Sequence, residues 1–227
     1  MPAFARIALT GIAHHVTQRG NYRQDVFFSD EDRATYLGYV TRAALDYGLK
    51  LLGWCLMTNH VHWVVVPRGP DAMAQTFRRA HSQYARYINS QTKQRSGHLW
   101  QGRYYSCPLD EPHLEAALLY VERNPVRAGI AKLAADYRWS SAPPRIGLVA
   151  PPLFLALHEW SKCYSPQEWE KKLAGSHDAD MEQWLRESTL QGKPVGSSAF
   201  IEALECATGR PMNVRPLGRP ATHARVR

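Results

Sequence analysis

"LKLLGWCLMTNHVHWVVVP", residues 49–67, decides the fold. The runs at 49–57 and 60–66 are apolar on both faces, as central strands are, and the short "TN" between them suits a tight hairpin. Pro67, Gly69 and Pro70 end the second run. Side chains in a strand alternate between faces, so His60 and His62 point the same way, out of an otherwise apolar strand.

Working outward, "GIAHHVTQR" (11–19) alternates as a strand does, and 29–48 reads as a helix capped by Ser29, acidic in its first turn and closed by Gly48. Residues 71–91 form a basic amphipathic helix, "LWQGRYYSCPL" (99–109) a last strand, and 111–124 a helix broken by Pro125. Helices alternating with antiparallel-compatible strands predict an α+β sandwich. The stretch 142–152, "APPRIGLVAPP", is too rich in proline for regular structure and marks a boundary. Short helical segments follow around "LFLALHEW" (153–160), "SPQEWEKKL" (165–173) and "SSAFIEALECATG" (197–209). The expected organisation is a domain over 1–145, a helical appendage over 146–208 and a basic flexible tail over 209–227.

The chain has 227 residues, 44% of them hydrophobic, enough for a sizeable core. Its longest apolar stretches fall far below the ~20 residues of a membrane span, and the start lacks a convincing leader, so a cytoplasmic protein is expected. The four cysteines are widely spaced with no C-x-x-C pair, which suggests neither a zinc knuckle nor a disulfide framework.

Lys and Arg number 28 against 20 Asp and Glu, a net charge of +8 that favours a polyanionic partner. From Ala72 to Leu109 there is no acidic residue, while Arg78, Arg79, Arg86, Lys93, Arg95 and Arg103 are interleaved with Tyr84, Tyr87, Trp100, Tyr104 and Tyr105. Cations for phosphate and flat rings for unstacked bases point to nucleic acid; the alternative is a solvated basic face over core aromatics. The tail repeats "GRP" at 209–211 and 218–220, placing Arg210 and Arg219 where an extended segment could enter an A·T minor groove or serve general phosphate affinity.

Strand residues i and i+2 lie about 6.6 Å apart on one face, so His60 and His62 can converge on one divalent ion; the alternative is a pair of hydrogen-bonded core histidines. Two imidazoles leave a six-coordinate ion short of protein ligands, so a third polar group belongs nearby. On the helix 111–124, Leu114, Ala117, Leu118 and Val121 form the sheet-facing stripe and Arg123 points away. His113, Tyr120 and Asn124 follow one margin of that stripe, and Tyr120 and Asn124, one turn apart, can aim at one spot. A packed Tyr with a C-capping Asn is the alternative there.

"HHVTQRGNYRQDVF", "NHVHWVVVP", "GHLWQGRYYS" and "LLYVERNPVRAGI", in that order over roughly residues 8–145, resemble the single-tyrosine HUH transposases, and among them the REP-associated tyrosine transposases. The resemblance implies a ferredoxin-like antiparallel sheet with helices on one face. It implies His60 and His62 as metal ligands for Mg²⁺ or Mn²⁺, Tyr120 as nucleophile and Asn124 as a third polar ligand. The implied substrate is single-stranded DNA with hairpin or palindromic repeats, nicked and transferred through a 5′-phosphotyrosine, with Arg19 among the DNA contacts beside the arginines above. About eighty residues beyond the tyrosine helix fit the REP-associated branch, and both monomer and homodimer stay open. A phenol of pKa about 10 attacks a phosphodiester poorly without a cation on the phosphate, which agrees with the implied chemistry. Two rivals are a non-catalytic nucleic-acid-binding module of this fold and a metal-dependent nuclease without a covalent intermediate.

Overall fold

A computed structural model describes residues 6–91, 97–157 and 163–212. Strands β1 (Ala13–Arg19), β2 (Leu49–Leu56), β3 (His60–Pro67) and β4 (Tyr105–Leu109) form an antiparallel sheet in the order β2-β3-β1-β4. Helix α1 (Asp30–Tyr47) joins β1 to β2, and α2 (Ala72–Gln91) joins β3 to β4. This is the ferredoxin-like sheet that the family resemblance implied.

Local signals explain the boundaries. Ser29 accepts from the Asp32 amide while Asp32 returns the bond, and Gly48 closes α1 at φ 70°, a conformation that suits glycine. β4 begins only at Tyr105, later than the run from 99 suggests, because Gly102 turns the chain at φ 67° and Trp100 meets the sheet as one bridge to Gly20. In β2 the pairing slips between Leu51 and Gly53. A β-carbon on Gly53 would sit 2.6 Å from Leu118 Cδ2, so glycine lets a helix lie close against the sheet here.

The helices occupy both faces of the sheet. Tyr36 and Val40 of α1 and Phe77, Ala80 and Tyr84 of α2 pack against Val61, Trp63 and Val65 on one face. The other face, left without helices in the expectation, packs Val64, Cys107 and Leu109 against Leu118 and Val121 of α3 (Glu111–Glu122). Two apolar faces on the central strands demand two covers. A helical turn, α4 (Asn124–Arg127), follows α3 after Arg123 and holds Pro125 in its first turn.

Beyond α4, the proline-rich stretch does contain regular structure: Ala142–Arg145 form a helical turn, α5, whose prolines stand where a helix start uses no amide hydrogen. Residues 153–157 of the expected "LFLALHEW" helix instead make a turn and a bridge from Leu155 to Leu51; 158–160 lie outside the described residues. The expected C-terminal helices are α6 (Pro166–Ala174), α7 (Ala179–Gln191) and α8 (Ser198–Thr208). Trp169 of α6 and Leu185 of α7 share one core with Leu118 and Val121, and Val195 exchanges backbone hydrogen bonds with Pro108 and Asp110. Among the described residues no helix is long and apolar enough to cross a membrane.

A buried charge anchors α3. Glu122, fully buried, accepts from Arg145 Nε at 2.7 Å, Ser141 Oγ at 2.5 Å and Trp169 Nε1 at 2.7 Å, while Arg145 also donates to the Leu52 carbonyl in the β2 irregularity. Both carboxylate oxygens are satisfied, which is what makes a buried ion pair tolerable. Glu122→Ala removes the carboxylate that Arg145, Ser141 and Trp169 share in the core. It should lower the urea unfolding free energy by about 3–5 kcal/mol, more than substitution of the exposed Arg138.

Neutral buried histidines make the fold acid-sensitive. Burial pushes His14 down to about 4; His81, partly exposed as a residue but with its ring against Tyr36, Phe77 and Trp100, is pushed down to about 3. In the unfolded chain both titrate near 6.5, so between the two values the unfolded state binds more protons. Stability should be full above pH 6.5 and fall as the pH drops from there toward 4, read as a declining urea midpoint. A midpoint flat across that window would contradict the assignment.

Candidate active site

The pleat sorts β3 into two sets: Val61 and Trp63 enter the α1/α2 core, and His60 and His62 emerge on the face carrying α3. Register brings Arg19 of β1 opposite His60 and Thr17 opposite His62, and His15, Thr17 and Arg19 alternate onto the same face. Here the sheet and helices α3, α4 and α7 enclose a cavity of about 630 Å³. His15, His60, His62, Tyr120, Asn124 and Arg127 line it, with Arg19 and Arg186 at its walls.

The rings stand close. His60 and His62 have centroids 4.9 Å apart, and the Tyr120 ring lies 5.6 Å from His62 and 5.5 Å from His15, edge to face with each. His15 Nε2 is 2.9 Å from His62 Nδ1, and His15 Nδ1 is 2.7 Å from Thr189 Oγ1 of α7. Asn59 Nδ2 donates to the Arg23 carbonyl, which turns Asn59 Oδ1 toward His60 Nδ1 at 2.6 Å. His60 therefore donates from Nδ1 and keeps a lone pair on Nε2.

Three arginines, Arg19, Arg127 and Arg186, face two glutamates, Glu182 and Glu187, around the cavity, and its imidazoles are neutral. Burial first, then Arg19, Arg127 and Arg186, pushes His60 down to about 4. Burial, then His60, His15 and Arg127, holds His62 well below its ordinary value. Burial raises the Tyr120 phenol above its usual range, and Arg127 and Arg186 oppose the rise. The Arg127 guanidinium lies 4.1 Å from the Tyr120 ring centroid and is held from α7 by Glu182 at 3.0 Å.

These donors suit a divalent ion. Among the described residues no group of three or more His, Cys, Asp or Glu could hold a metal. Two neutral imidazoles and the Asn124 amide, whose buried Nδ2 has no hydrogen-bond partner, instead make an incomplete set. Such a set fits an ion that takes its remaining ligands from phosphate oxygens and water.

The structure thus brings His60, His62, Tyr120, Asn124 and Arg19 together. His113 does not join them: it pairs with Asp110 and meets Trp184. Arg78, Arg79 and Arg86 belong to α2, on the opposite sheet face, where Arg79 is paired with Asp46 at 2.9 Å. Arg103 is exposed ahead of β4 and Arg210 after α8, whereas Lys93, Arg95 and Arg219 lie outside the described residues. The aromatics expected to stack on bases are largely core: Tyr84, Trp100 and Tyr104 are buried with α1 and α2, Tyr87 packs against that core, and Tyr105 stays exposed. Arg127 could have been found from the sequence, since it lies seven residues after Tyr120 and three after Asn124, on their helical face. His15 stood in the alternating "HHVTQR", but nothing local to α7 marks Arg186 or Thr189.

A REP-associated tyrosine transposase bound to a REP hairpin superposes with a TM-score of 0.57 at 17% identity, covering 69% of this chain and 92% of that one, and shows the shared fold. A protein of Deinococcus radiodurans R1 described as a transposase is 18% identical over 56% of this chain and 95% of its own, with a TM-score of 0.38. A comparison with curated protein sequences finds no match. The family model for IS200-like transposases matches residues 8–124, a span of more than half the chain that takes in His60, His62, Tyr120 and Asn124, and the chain belongs to that family.

Proposed function

We propose that this chain nicks and rejoins single-stranded DNA through Tyr120, with His60, His62 and Asn124 holding Mg²⁺ or Mn²⁺. The observation that carries the reading is the meeting of a phenol from α3 and two neutral imidazoles from β3 in one arginine-bearing cavity. A divalent ion held there would polarise the scissile phosphate and offset its developing charge. Tyr120 Oη bonds to phosphorus as the bond to the 3′ oxygen breaks; the phenol gives up its proton and the departing oxygen takes one up. Arg127, steadied by Glu182, favours the phenolate, while Arg19 and Arg186 offer charge to flanking phosphates. The 5′-phosphotyrosine conserves the broken bond's energy, so a DNA 3′-hydroxyl can reverse the step and rejoin strands without ATP.

The proposed substrates are single-stranded repeats that fold into hairpins, by analogy with the hairpin-bound relative. A non-catalytic DNA-binding module would need neither the phenol nor the histidines in one cavity, and their convergence favours the enzyme. The exposed arginines of α2 and the basic C-terminal residues are proposed as outlying phosphate contacts.

Tyr120→Phe removes one oxygen and keeps the ring. Incubated with labelled single-stranded repeats, it should bind DNA but form no adduct that survives denaturant, while Tyr22→Phe and Tyr105→Phe still form it. His60→Ala and His62→Ala should each lose divalent-dependent cleavage yet keep most DNA affinity. An adduct formed by Tyr120→Phe would show that another residue is the nucleophile.

The cavity's arginines should also dominate binding. The double substitution Arg19→Met with Arg186→Met should weaken single-stranded DNA binding and reduce the salt slope by about 1.4, at roughly 0.7 per lost phosphate contact. Arg79→Met should change both less, because Asp46 already neutralises Arg79. Fluorescence anisotropy across a KCl series measures this, and equal losses in the two variants would sink it.

A further inference from the structure

The His62 ring heads a buried chain of hydrogen bonds whose direction can be deduced. Thr189 Oγ1 donates to the Leu185 carbonyl at 2.7 Å, and a carbonyl can only accept. The hydroxyl has one proton, so toward its other neighbours it is an acceptor. His15 Nδ1, at 2.7 Å, must therefore carry the proton it donates to Thr189, as must the Cys107 thiol at 3.1 Å. A neutral imidazole protonated on Nδ1 has its lone pair on Nε2. His15 Nε2 then accepts, at 2.9 Å, from His62 Nδ1, and the two rings are parallel to within 7°. His62 is left with its lone pair on Nε2. Run the other way, the same chain would put a proton on that nitrogen and disable it as a ligand.

We propose that Thr189 and His15 are positioning residues that hold His62 in the one tautomer able to ligate a metal through Nε2, making α7 a working part of the active site. The inference rests on the ligand reading proposed above. Thr189, His15 and His62 are all buried, so water offers little alternative for these nitrogens. His60 gets the same tautomer from its neighbour Asn59, whereas His62 depends on a residue far along the chain and beyond the family-matched segment. Partners of this kind behind a ligating histidine typically change metal affinity 10–100-fold when lost.

The test uses Thr189→Val, which keeps the shape and removes the acceptor, and Thr189→Ser, which restores it. Long-range ¹⁵N–¹H correlation spectra of the metal-free full chain read the tautomer, and calorimetry with Mn²⁺ reads affinity. Wild type and Thr189→Ser should show His62 protonated on Nδ1; Thr189→Val should show a tautomer mixture and bind Mn²⁺ about 10–100-fold more weakly. His15→Gln, whose amide oxygen can still accept from His62, should lose less affinity than His15→Ala. A proton on His62 Nε2 in the wild type, or a Thr189→Val protein with unchanged tautomer and affinity, would overturn the relay. Mn²⁺ binding that is absent, or unaffected by His60→Ala, would instead overturn the ligand set, while the metal-free spectra still judge the relay.

Discussion

A central strand buried on both faces has no neutral side: each residue goes to one core or the other, and the pleat assigns them alternately. In β3 this assignment gives Val61, Trp63 and Val65 to the α1/α2 core and His60, His62 and Val64 to the other. A slip of one residue would bury two imidazoles among Tyr36, Phe77 and Tyr84 and expose a tryptophan to the cavity. The fold's stability and its candidate chemistry therefore hang on the same register.

Covering the second face creates the site. α3 can approach because Gly53 has no side chain, and it is held at the correct depth by the satisfied Glu122 carboxylate, whose donors come from β2's neighbour Ser141, from Arg145 and from α6. Two residues before that anchor, Tyr120 is fixed over the histidines. The motif "YVERN" thus combines two duties, since its tyrosine and asparagine face the cavity and its glutamate secures the helix.

The C-terminal helices extend this arrangement. α7 lines one side of the cavity, supplies Glu182 to Arg127 and Thr189 to His15, and adds Arg186 to its wall. Burial by α7 also helps keep the imidazoles neutral, because a charged ring would have to leave water in a region already rich in guanidinium groups. What reads along the chain as an addition to the family-matched segment packs in space against the cavity which that segment lines.

Much of this was legible in the sequence because it is local. Strand alternation, the Ser29 cap, the Gly48 stop and the one-turn spacing of Tyr120 and Asn124 depend on neighbours a few residues away, and each appears as expected. Composition misled where burial decides meaning: Tyr84, Trp100 and Tyr104 have the same rings in a core as in a base-stacking groove, and only packing tells them apart. Prolines misled likewise, since Pro143 and Pro144 stand at the start of a helical turn, where they cost nothing. The tertiary structure alone decided which face receives α3, that His15 stands behind His62, and that α7 reaches the cavity. Those outcomes join residues as far apart as His15 and Thr189, and a hydrogen bond between distant segments leaves no periodicity in either of them.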